Sequence, residues 1–195
     1  MNLSRRAHAV NGPFRRLMPL LVLVVLTGCH TVGRNIDGID NFDRVDDGLY
    51  RGAQPSERGI AELKNRGVQT VIDLRDDRNP NEQKWVENAG MRYINIPSNA
   101  SRVEPAKVAQ FLDAMNDMPG PVFVHCKQGC DRTGLAVGTY RMVDQDWTRD
   151  AALNDLYAHG YHWALFPGIA RYLKTFDPAQ FKNERAGDHL PGTSS

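Results

Sequence analysis

The sequence predicts an α/β fold, a single domain with a central, mainly parallel sheet flanked by helices, and three observations support this. Short apolar runs rich in β-branched residues recur along the chain, as at 70–74 and 121–124. Amphipathic segments with helical spacing separate these runs. The 195 residues are enough for one domain with an ordinary core. Strands that alternate with helices favour parallel pairing, and a binding site is then expected at the carboxyl ends of the strands.

The individual elements follow from caps and apolar runs. Residues 42–51 begin the sheet, and Ser56 is suited to cap a helix that ends at Arg66 and Gly67, because its hydroxyl accepts a backbone N–H. The apolar run 70–74 indicates a buried strand. The remaining predicted strands lie at 91–96 and 121–124. Thr148 is predicted to cap a helix that runs to His159, and the remaining helices lie at 82–88, 105–115, 134–143 and 169–176.

The segment HCKQGCDRT, residues 125–133, lies between a predicted strand and a predicted helix. Five residues separate Cys126 from Arg132 in it. At such a position the unpaired N–H groups of a helix amino terminus and the positive end of its dipole converge on anions. We therefore predict a phosphate-binding loop.

Four residues of this loop suit steps of phosphate-ester chemistry. Cys126 is the predicted nucleophile, since helix amino termini and nearby cations lower thiol pKa values from about 8.5 to roughly 3.5–7.5. Its attack would give a phosphocysteine intermediate. The planar guanidinium of Arg132 would hold two phosphoryl oxygens, and Gly129 would let the backbone approach the phosphate. The hydroxyl of Thr133 would bond the sulfur and ease its departure.

The other loop residues are predicted to line the phosphate site: His125, Lys127, Gln128, Cys130 and Asp131. His125 would orient the loop and help to poise the thiolate. Lys127 would meet an acidic substrate or a second phosphate, and a solvated place on the rim is the alternative. This chemistry requires no metal and no other cofactor, and no second Cys or His pair has zinc-ligand spacing.

With these residues in place, the chain resembles the cysteine-dependent tyrosine and dual-specificity phosphatases. The resemblance covers roughly residues 41–176 and is most similar to the small, bacterial, exported, dual-specificity-like branch. It implies the phosphatase fold and hydrolysis of phosphotyrosine, with phosphoserine or phosphothreonine as further substrates. It rests on HCKQGCDRTG at 125–134, LYR at 49–51 with Gln54-Pro55, VIDLR at 71–75, Ile96-Pro97 and Tyr140-Arg141.

One position departs from the family pattern. Family members usually protonate the leaving oxygen with an aspartate on a separate loop, whereas residues 96–105 read IPSNASRVEP and place Ser101 there. A serine hydroxyl is no general acid near neutral pH. Asp131 is one candidate, because similar GxDRT loops occur in myotubularin- and Sac-type lipid phosphatases, although an aspartate at a helix start is often only a dipole or capping partner. Glu104 is the other candidate, if its loop swings over the site.

The amino-terminal residues predict export. Residues 1–16 carry four arginines and no acidic residue, and the ten-residue run 17–26 is apolar apart from Pro19. This run is too short to span a membrane, which takes about 20 apolar residues. The following LTGC, residues 26–29, resembles the bacterial lipoprotein box and implies cleavage before Cys29 and lipidation of its thiol. An ordinary signal peptide with an incidental cysteine is the alternative.

Four parts of the chain are therefore predicted: a lipoprotein signal peptide at 1–28, an anchor linker at 29–40, a phosphatase domain at 41–180 and a flexible tail at 181–195. The mature protein would be lipid-anchored in a bacterial envelope, at the outer membrane facing the periplasm. Removal of residues 1–28 takes four of the 24 basic and none of the 23 acidic residues, which leaves 20 against 23. This small excess of acidic residues argues against nucleic acid as a binding partner. The expected partners are a phosphorylated protein or phospholipid, and the membrane.

Several alternatives remain open at the level of sequence. Cys126 and Cys130 share one loop in an oxidising compartment, and a reversible disulfide between them would silence the enzyme and protect the nucleophile; a small buried role for Cys130 is the alternative. Asp131 and Lys127 would also fit a phosphoinositide or inositol phosphate phosphatase. The lack of an aspartate at the usual general-acid position would fit a pseudophosphatase, which binds phosphate without hydrolysing the ester. A sulfurtransferase also presents cysteine in a strand-to-helix loop, but the Arg132–Thr133 pair argues against it.

Overall fold

A computed structural model describes residues 35–188, and this part of the chain contains five strands and seven helices. The strands are β1 (Asp43–Arg44), β2 (Leu49–Gly52), β3 (Thr70–Asp73), β4 (Arg92–Asn95) and β5 (Val122–His125). The helices are α1 (Glu57–Asn65), α2 (Pro80–Asn88), α3 (Pro105–Asp117), α4 (Asp131–Asp144), α5 (Arg149–Ala158), α6 (Pro167–Thr175) and α7 (Pro178–Asp188). The predicted signal peptide and Cys29 lie outside the described residues.

The five strands form one sheet in the order β1-β2-β5-β3-β4. All neighbours pair in parallel except β1, which runs antiparallel to β2 at the edge. This confirms the predicted α/β class with a mainly parallel sheet. In the register, His125 lies opposite Gly52 on one side and Asp73 on the other. The carboxyl ends of the three strands β2, β5 and β3 therefore meet at one edge of the sheet.

The two faces of the sheet carry separate apolar cores, because successive strand residues point to opposite faces. Phe123 packs with Ile60, Leu63 and Val86 of helices α1 and α2. Its neighbours on the strand belong to the other core, which helices α3, α4, α5 and α6 supply with residues such as Phe111, Val137, Leu156 and Ile169. A strand covered on both sides carries a continuous apolar run, as the sequence of β5 shows.

Helix α4 begins earlier than predicted, at Asp131 rather than residue 134, with Cys130 as its N-cap. Asp131, Arg132 and Thr133 therefore lie on the first helical turn instead of in a loop. The predicted caps are confirmed, since the Ser56 hydroxyl accepts from Gly59 N at 3.3 Å and the Thr148 hydroxyl from Ala151 N at 3.2 Å.

Helix α7 corrects the predicted flexible tail, which was placed from residue 181. The chain is helical through Asp188, and the carboxylate of Asp177 accepts from the backbone N–H groups of Ala179 and Gln180 at 2.9 and 3.1 Å. The Phe181 ring packs 5.8 Å from that of Phe176. The helix was missed because its polar sequence shows little periodicity, while its cap and its aromatic contact depend on the preceding fold. Among residues 35–188, no helix is long and apolar enough to cross a membrane.

Candidate active site

The segment 126–130 connects the end of β5 to the start of α4, as the sequence predicts. Cys126 is only 3% exposed, and it directly follows the strand at the edge where β2, β5 and β3 end. The first turn of α4 places unpaired backbone N–H groups at the other end of this loop. The loop therefore presents a buried thiol at the amino end of a 14-residue helix, an arrangement that favours anions.

Gly129 fits this loop against the chain that follows β2. Its φ is +73°, and a Cβ at this residue would lie 2.5 Å from the carbonyl carbon of Gly52 and 2.7 Å from Ala53 N. Backbone therefore packs on backbone, with no room for any side chain. Gln54 N donates to Lys127 O at 3.3 Å from the same stretch of chain.

Arg51 supports the loop from the sheet side. Its fully buried guanidinium donates to the Gly129 carbonyl at 3.0 Å and pairs with Asp155 at 3.0 Å. Burial lowers the pKa of Arg51, and the charge of Asp155 opposes this effect. The second arginine of this cluster, Arg141, lies 3.4 Å from Asp155. Arg51 of the LYR motif thus supports the loop directly, and Arg141 of the Tyr140-Arg141 motif lies beside the Asp155 that pairs with Arg51.

Asn41 is a second support, and the sequence analysis assigned it no role. Its φ is +49°, a conformation that asparagine tolerates better than most residues. The side-chain amide lies within hydrogen-bond distance of Gln128 O at 3.2 Å, His159 O at 3.1 Å and the Cys130 sulfur at 3.4 Å. It thereby ties the loop to the end of helix α5.

Arg132 is mostly buried and faces two partners from other parts of the chain. Its Nη1 donates to the carboxylate of Asp76 at 2.7 Å and to the carbonyl of Ser98 at 3.2 Å. It also lines a small pocket, to which Glu104 and Lys107 contribute charged groups. Asp76 was not predicted as a site residue, although it lies just beyond the carboxyl end of β3, where a binding site is expected.

The two candidate acids occupy different surroundings. Asp131 is 5% exposed, and its two oxygens accept from the backbone N and the Nδ1 of His162 at 2.9 and 3.0 Å. Glu104 is half-buried at the start of helix α3, where its side chain makes no cap bond, and it lines the same cavity as Arg132. Ser101 is exposed. The carboxylate of Asp131 is thus engaged in fixing the 161–166 turn, whereas Glu104 shares a pocket with Arg132.

Cys130 ends the loop, and Thr133 lies on the first turn of α4. Burial raises the pKa of Cys130 to about 11, and the charges of Asp131 and Cys126 act in the same direction. The Cys130 thiol donates to Gln128 O at 3.3 Å, and both cysteines of the described residues are free thiols. The Thr133 hydroxyl is buried and has no hydrogen-bond partner within residues 35–188. The bond from this hydroxyl to the Cys126 sulfur that the sequence predicts is therefore not formed in this structure.

The remaining loop residues divide into exposed and buried positions. Lys127 and Gln128 are exposed, whereas His125 is fully buried beneath the loop. Next to His125, Asp73 and Glu82 offer further ligand atoms within 4.8 Å. The guanidinium of Arg75 bonds both carboxylates, so this cluster already holds a cation and we do not assign it to a metal.

The site combines a buried thiol, in an anion-binding loop after a parallel strand, with an arginine on the first turn of the next helix. These are the features of a cysteine-based phosphatase. Comparison with known proteins gives the family. The family described as "DSP-PTPase phosphatase fused to NAD+ Kinase" matches residues 32–162, more than half of the chain. The chain belongs to this family of dual-specificity-type phosphatases.

Individual relatives agree with this assignment. The dual specificity protein phosphatase TpbA of Pseudomonas aeruginosa is 35% identical over 129 residues, which are 65% of this chain and 57% of TpbA. The inositol diphosphatase DSP3 of Arabidopsis thaliana is 30% identical over 122 residues, 59% of this chain and 60% of the relative. The chain thus spans somewhat more than half the length of these relatives.

Solved structures show the same fold. The crystal structure of P. aeruginosa TpbA in complex with pTyr superposes with a TM-score of 0.67 at 28% identity, and the match covers 82% of this chain and 99% of that one.

The close packing at Gly129 gives a prediction with a matched control. We expect Gly129→Ala to lower kcat/KM for an aryl phosphate by about 10²-fold, because the added methyl group must displace the loop from the chain after β2. Gly67→Ala is the control, since Gly67 has a φ of +81° but no atom within 4 Å of a built Cβ. It should cost about 1–2 kcal/mol of stability from backbone strain alone and leave kcat/KM unchanged. Equal activity losses in the two variants would contradict this account.

Proposed function

We propose that the chain hydrolyses phosphate monoesters, with protein phosphotyrosine as the main substrate and phosphoserine or phosphothreonine as further ones. The observation that carries the proposal is the buried Cys126 thiol at the start of a loop that ends on the first turn of α4 beside Arg132. The TpbA relative, whose structure was determined with pTyr, supports this choice of substrate.

In the proposed mechanism, the phosphate binds to the backbone N–H groups of the loop and to Arg132. For this, the guanidinium must exchange its bonds to Asp76 and Ser98 for bonds to phosphoryl oxygens. The Cys126 thiolate attacks phosphorus, the bond to the ester oxygen breaks, and an acid protonates that oxygen. Water then attacks the phosphocysteine, and inorganic phosphate and the thiolate are released. The free hydroxyl of Thr133 is suited to bond the departing sulfur.

A second candidate substrate is an inositol phosphate or phosphoinositide. Lys127 is exposed on the loop, where it would meet a second phosphate group, and one relative is named an inositol diphosphatase. A panel of phosphotyrosine peptide, phosphoserine peptide and inositol phosphates under the same conditions separates these candidates through their kcat/KM values. A folded protein that binds vanadate but turns over no member of the panel would be a pseudophosphatase.

The chemical proposal is tested by substituting the two residues that would touch the phosphoryl group. We expect Cys126→Ser to reduce p-nitrophenyl phosphate hydrolysis to background, since the nucleophile is lost. Arg132→Lys should lower kcat by about 10²–10³-fold, because an ammonium lacks the planar fork. Steady-state rates under reducing conditions measure both. Turnover that survives Cys126→Ser would reject the phosphocysteine mechanism.

The choice of general acid gives a separate prediction. We expect Glu104→Gln to lower kcat by about 10²–10⁴-fold on phenyl phosphate, whose leaving group needs a proton, and far less on p-nitrophenyl phosphate. Asp131→Asn should affect both esters equally, because its carboxylate supports the turn at His162. If Asp131→Asn alone shows the selective loss on phenyl phosphate, Asp131 is the acid and Glu104 is not. If neither variant shows it, both assignments fall.

We also propose that the chain is exported and lipid-anchored at Cys29, on the strength of residues 1–28 and the LTGC sequence alone. In a bacterial host the unaltered chain should sediment with membranes. Cys29→Ser should remove the acylation site, so we expect the variant to lose the mobility shift of lipidation and to leave the membrane fraction. Cys130→Ser serves as the control for loss of a thiol elsewhere. Identical fractionation of Cys29→Ser and the parent would reject the anchor.

A further inference from the structure

The chain between helices α5 and α6 carries an exposed apolar surface. Within residues 35–188, three large apolar side chains are exposed: Tyr157 at 49%, Trp163 at 66% and Leu165 at 68%. Trp163 and Leu165 lie on the turn 161–166, and the Tyr157 ring packs edge-on against the Tyr161 ring at a centroid distance of 5.5 Å. We call Tyr157, Trp163 and Leu165 the apolar rim. Single exposed apolar residues are common on proteins, whereas a group of them at one place indicates a surface that binds a partner.

Hydrogen bonds hold the turn in one conformation. The Tyr161 hydroxyl donates to Phe166 O at 2.6 Å and accepts from Ala170 N at 3.2 Å. The backbone N–H groups of Leu165 and Phe166 both donate to His162 O at 3.0 Å. The exposed side chains are therefore presented on an ordered backbone. A partner that binds them does not have to offset the conformational entropy of ordering this turn.

One end of the turn packs against the catalytic loop. Asp131, on the first turn of α4, accepts from the backbone N and the Nδ1 of His162 at 2.9 and 3.0 Å. A Cβ at Gly160 would lie 3.4 Å from the sulfur of Cys130, the residue that ends the loop. Trp163 therefore lies one residue beyond a direct contact with the helical turn that carries Arg132.

The other end of the turn approaches the segment 98–104. A Cβ at Gly168 would lie 4.0 Å from the carbonyl oxygen of Ser101. Ile169 lines the same small pocket as Arg132. The turn thus lies next to the first turn of α4 at one end and next to this segment at the other. It therefore forms one side of the mouth of the proposed phosphate site.

The mouth of the site combines polar and apolar parts. Lys127 and Gln128 of the loop are exposed and polar, whereas the turn presents Trp163 and Leu165. An inositol phosphate consists mainly of hydroxyl and phosphate groups, so it has little apolar surface that would gain from contact with the rim. A phosphotyrosine in a protein is flanked by other side chains, which follow each other about every 3.3–3.6 Å along an extended chain. An apolar side chain near the phosphotyrosine can therefore reach the rim while the phosphate is bound.

We propose that the apolar rim is a specificity surface that binds an apolar side chain close to the phosphotyrosine of a protein substrate. Trp163 and Leu165 are its main residues, because they are the most exposed, and tryptophan is frequent among the residues that dominate binding energies. The contact removes apolar surface of both partners from water, which is the main favourable contribution to association. This specificity deepens the proposed function and rests on it, since it selects among phosphotyrosine-bearing proteins.

Binding, rather than turnover, provides the test. The Kd values of phosphotyrosine peptides are measured by fluorescence anisotropy on the full-length protein with Cys126→Ser. The peptides share one length and a serine background, and a single leucine is moved through the positions within about three residues of the phosphotyrosine. At one or more positions we expect leucine to tighten binding about 10-fold over the leucine-free peptide, because much of its side chain leaves water.

Substitutions in the rim should remove this preference. With Trp163→Ser and Leu165→Ser combined, we expect peptides with and without leucine to bind equally. Trp163→Phe is the matched control, since it keeps a large apolar ring at the same position and should retain most of the preference. The ratio of two Kd values on the same protein is insensitive to a general loss of phosphate binding. A parent without any preference for leucine, or a preference that survives the double substitution, would overturn the specificity surface.

Hydrolysis of p-nitrophenyl phosphate separates this specificity from the proposed function, because that ester has no flanking residue. If the unsubstituted chain hydrolyses no ester but its Cys126→Ser form prefers leucine peptides, the rim is supported and the proposed function is rejected. If the chain hydrolyses p-nitrophenyl phosphate and shows no leucine preference, the proposed function stands and the rim is rejected.

Two other occupants of the rim give different results. A second copy of the chain would appear in analytical ultracentrifugation as a dimer that the double substitution dissociates. A lipid surface would appear as cosedimentation with phosphatidylethanolamine–phosphatidylglycerol vesicles that falls in the double variant. Either result, in protein that shows no leucine preference, would overturn the assignment of the rim to a protein substrate.

Discussion

The contact on which the site depends is the backbone packing of Gly129 against Gly52 and Ala53. Parallel pairing brings β2 and β5 to the same edge, and the loop after β5 closes directly onto the chain after β2. Arg51 reinforces this closure, since its buried guanidinium donates to the Gly129 carbonyl. The loop is therefore ordered before a phosphate binds. The free energy of binding does not have to offset the conformational entropy that ordering the loop would cost.

This early ordering requires polar groups in buried places. The loop is supported by the fully buried Arg51, which donates to the Gly129 carbonyl and pairs with Asp155. A buried pair contributes little net stability, but the loss of one partner costs about 3–5 kcal/mol because the other charge is left without compensation. The Arg51–Asp155 pair therefore acts mainly to specify one geometry of the loop. That geometry is what a phosphate with three equivalent oxygens requires.

The sequence predicts what depends on local patterns and misses what depends on distant partners. The strands, the caps at Ser56 and Thr148 and the position of the loop follow from short stretches of residues. The role of Asp131 does not, because its partner His162 lies 31 residues further along the chain. Glu82 was read only as part of a polar helix, since nothing in its neighbourhood shows that the fold buries it opposite His125. Helix α7 was missed for the same reason, as its contact with Phe176 forms only in the folded chain.

The pairing of Arg132 with Asp76 bears on how the site binds phosphate. The Asp76 side chain is 55% exposed, and ion pairs with such exposed partners contribute only about 0–1 kcal/mol. Its release from Arg132 is therefore inexpensive compared with a bidentate bond to a phosphoryl group. The bond to the Ser98 carbonyl comes from the loop that leads to Glu104. In the proposed mechanism, a phosphate that draws Arg132 away from Ser98 would therefore act on the segment that carries Glu104, and substrate binding would be linked to the placement of the proton donor.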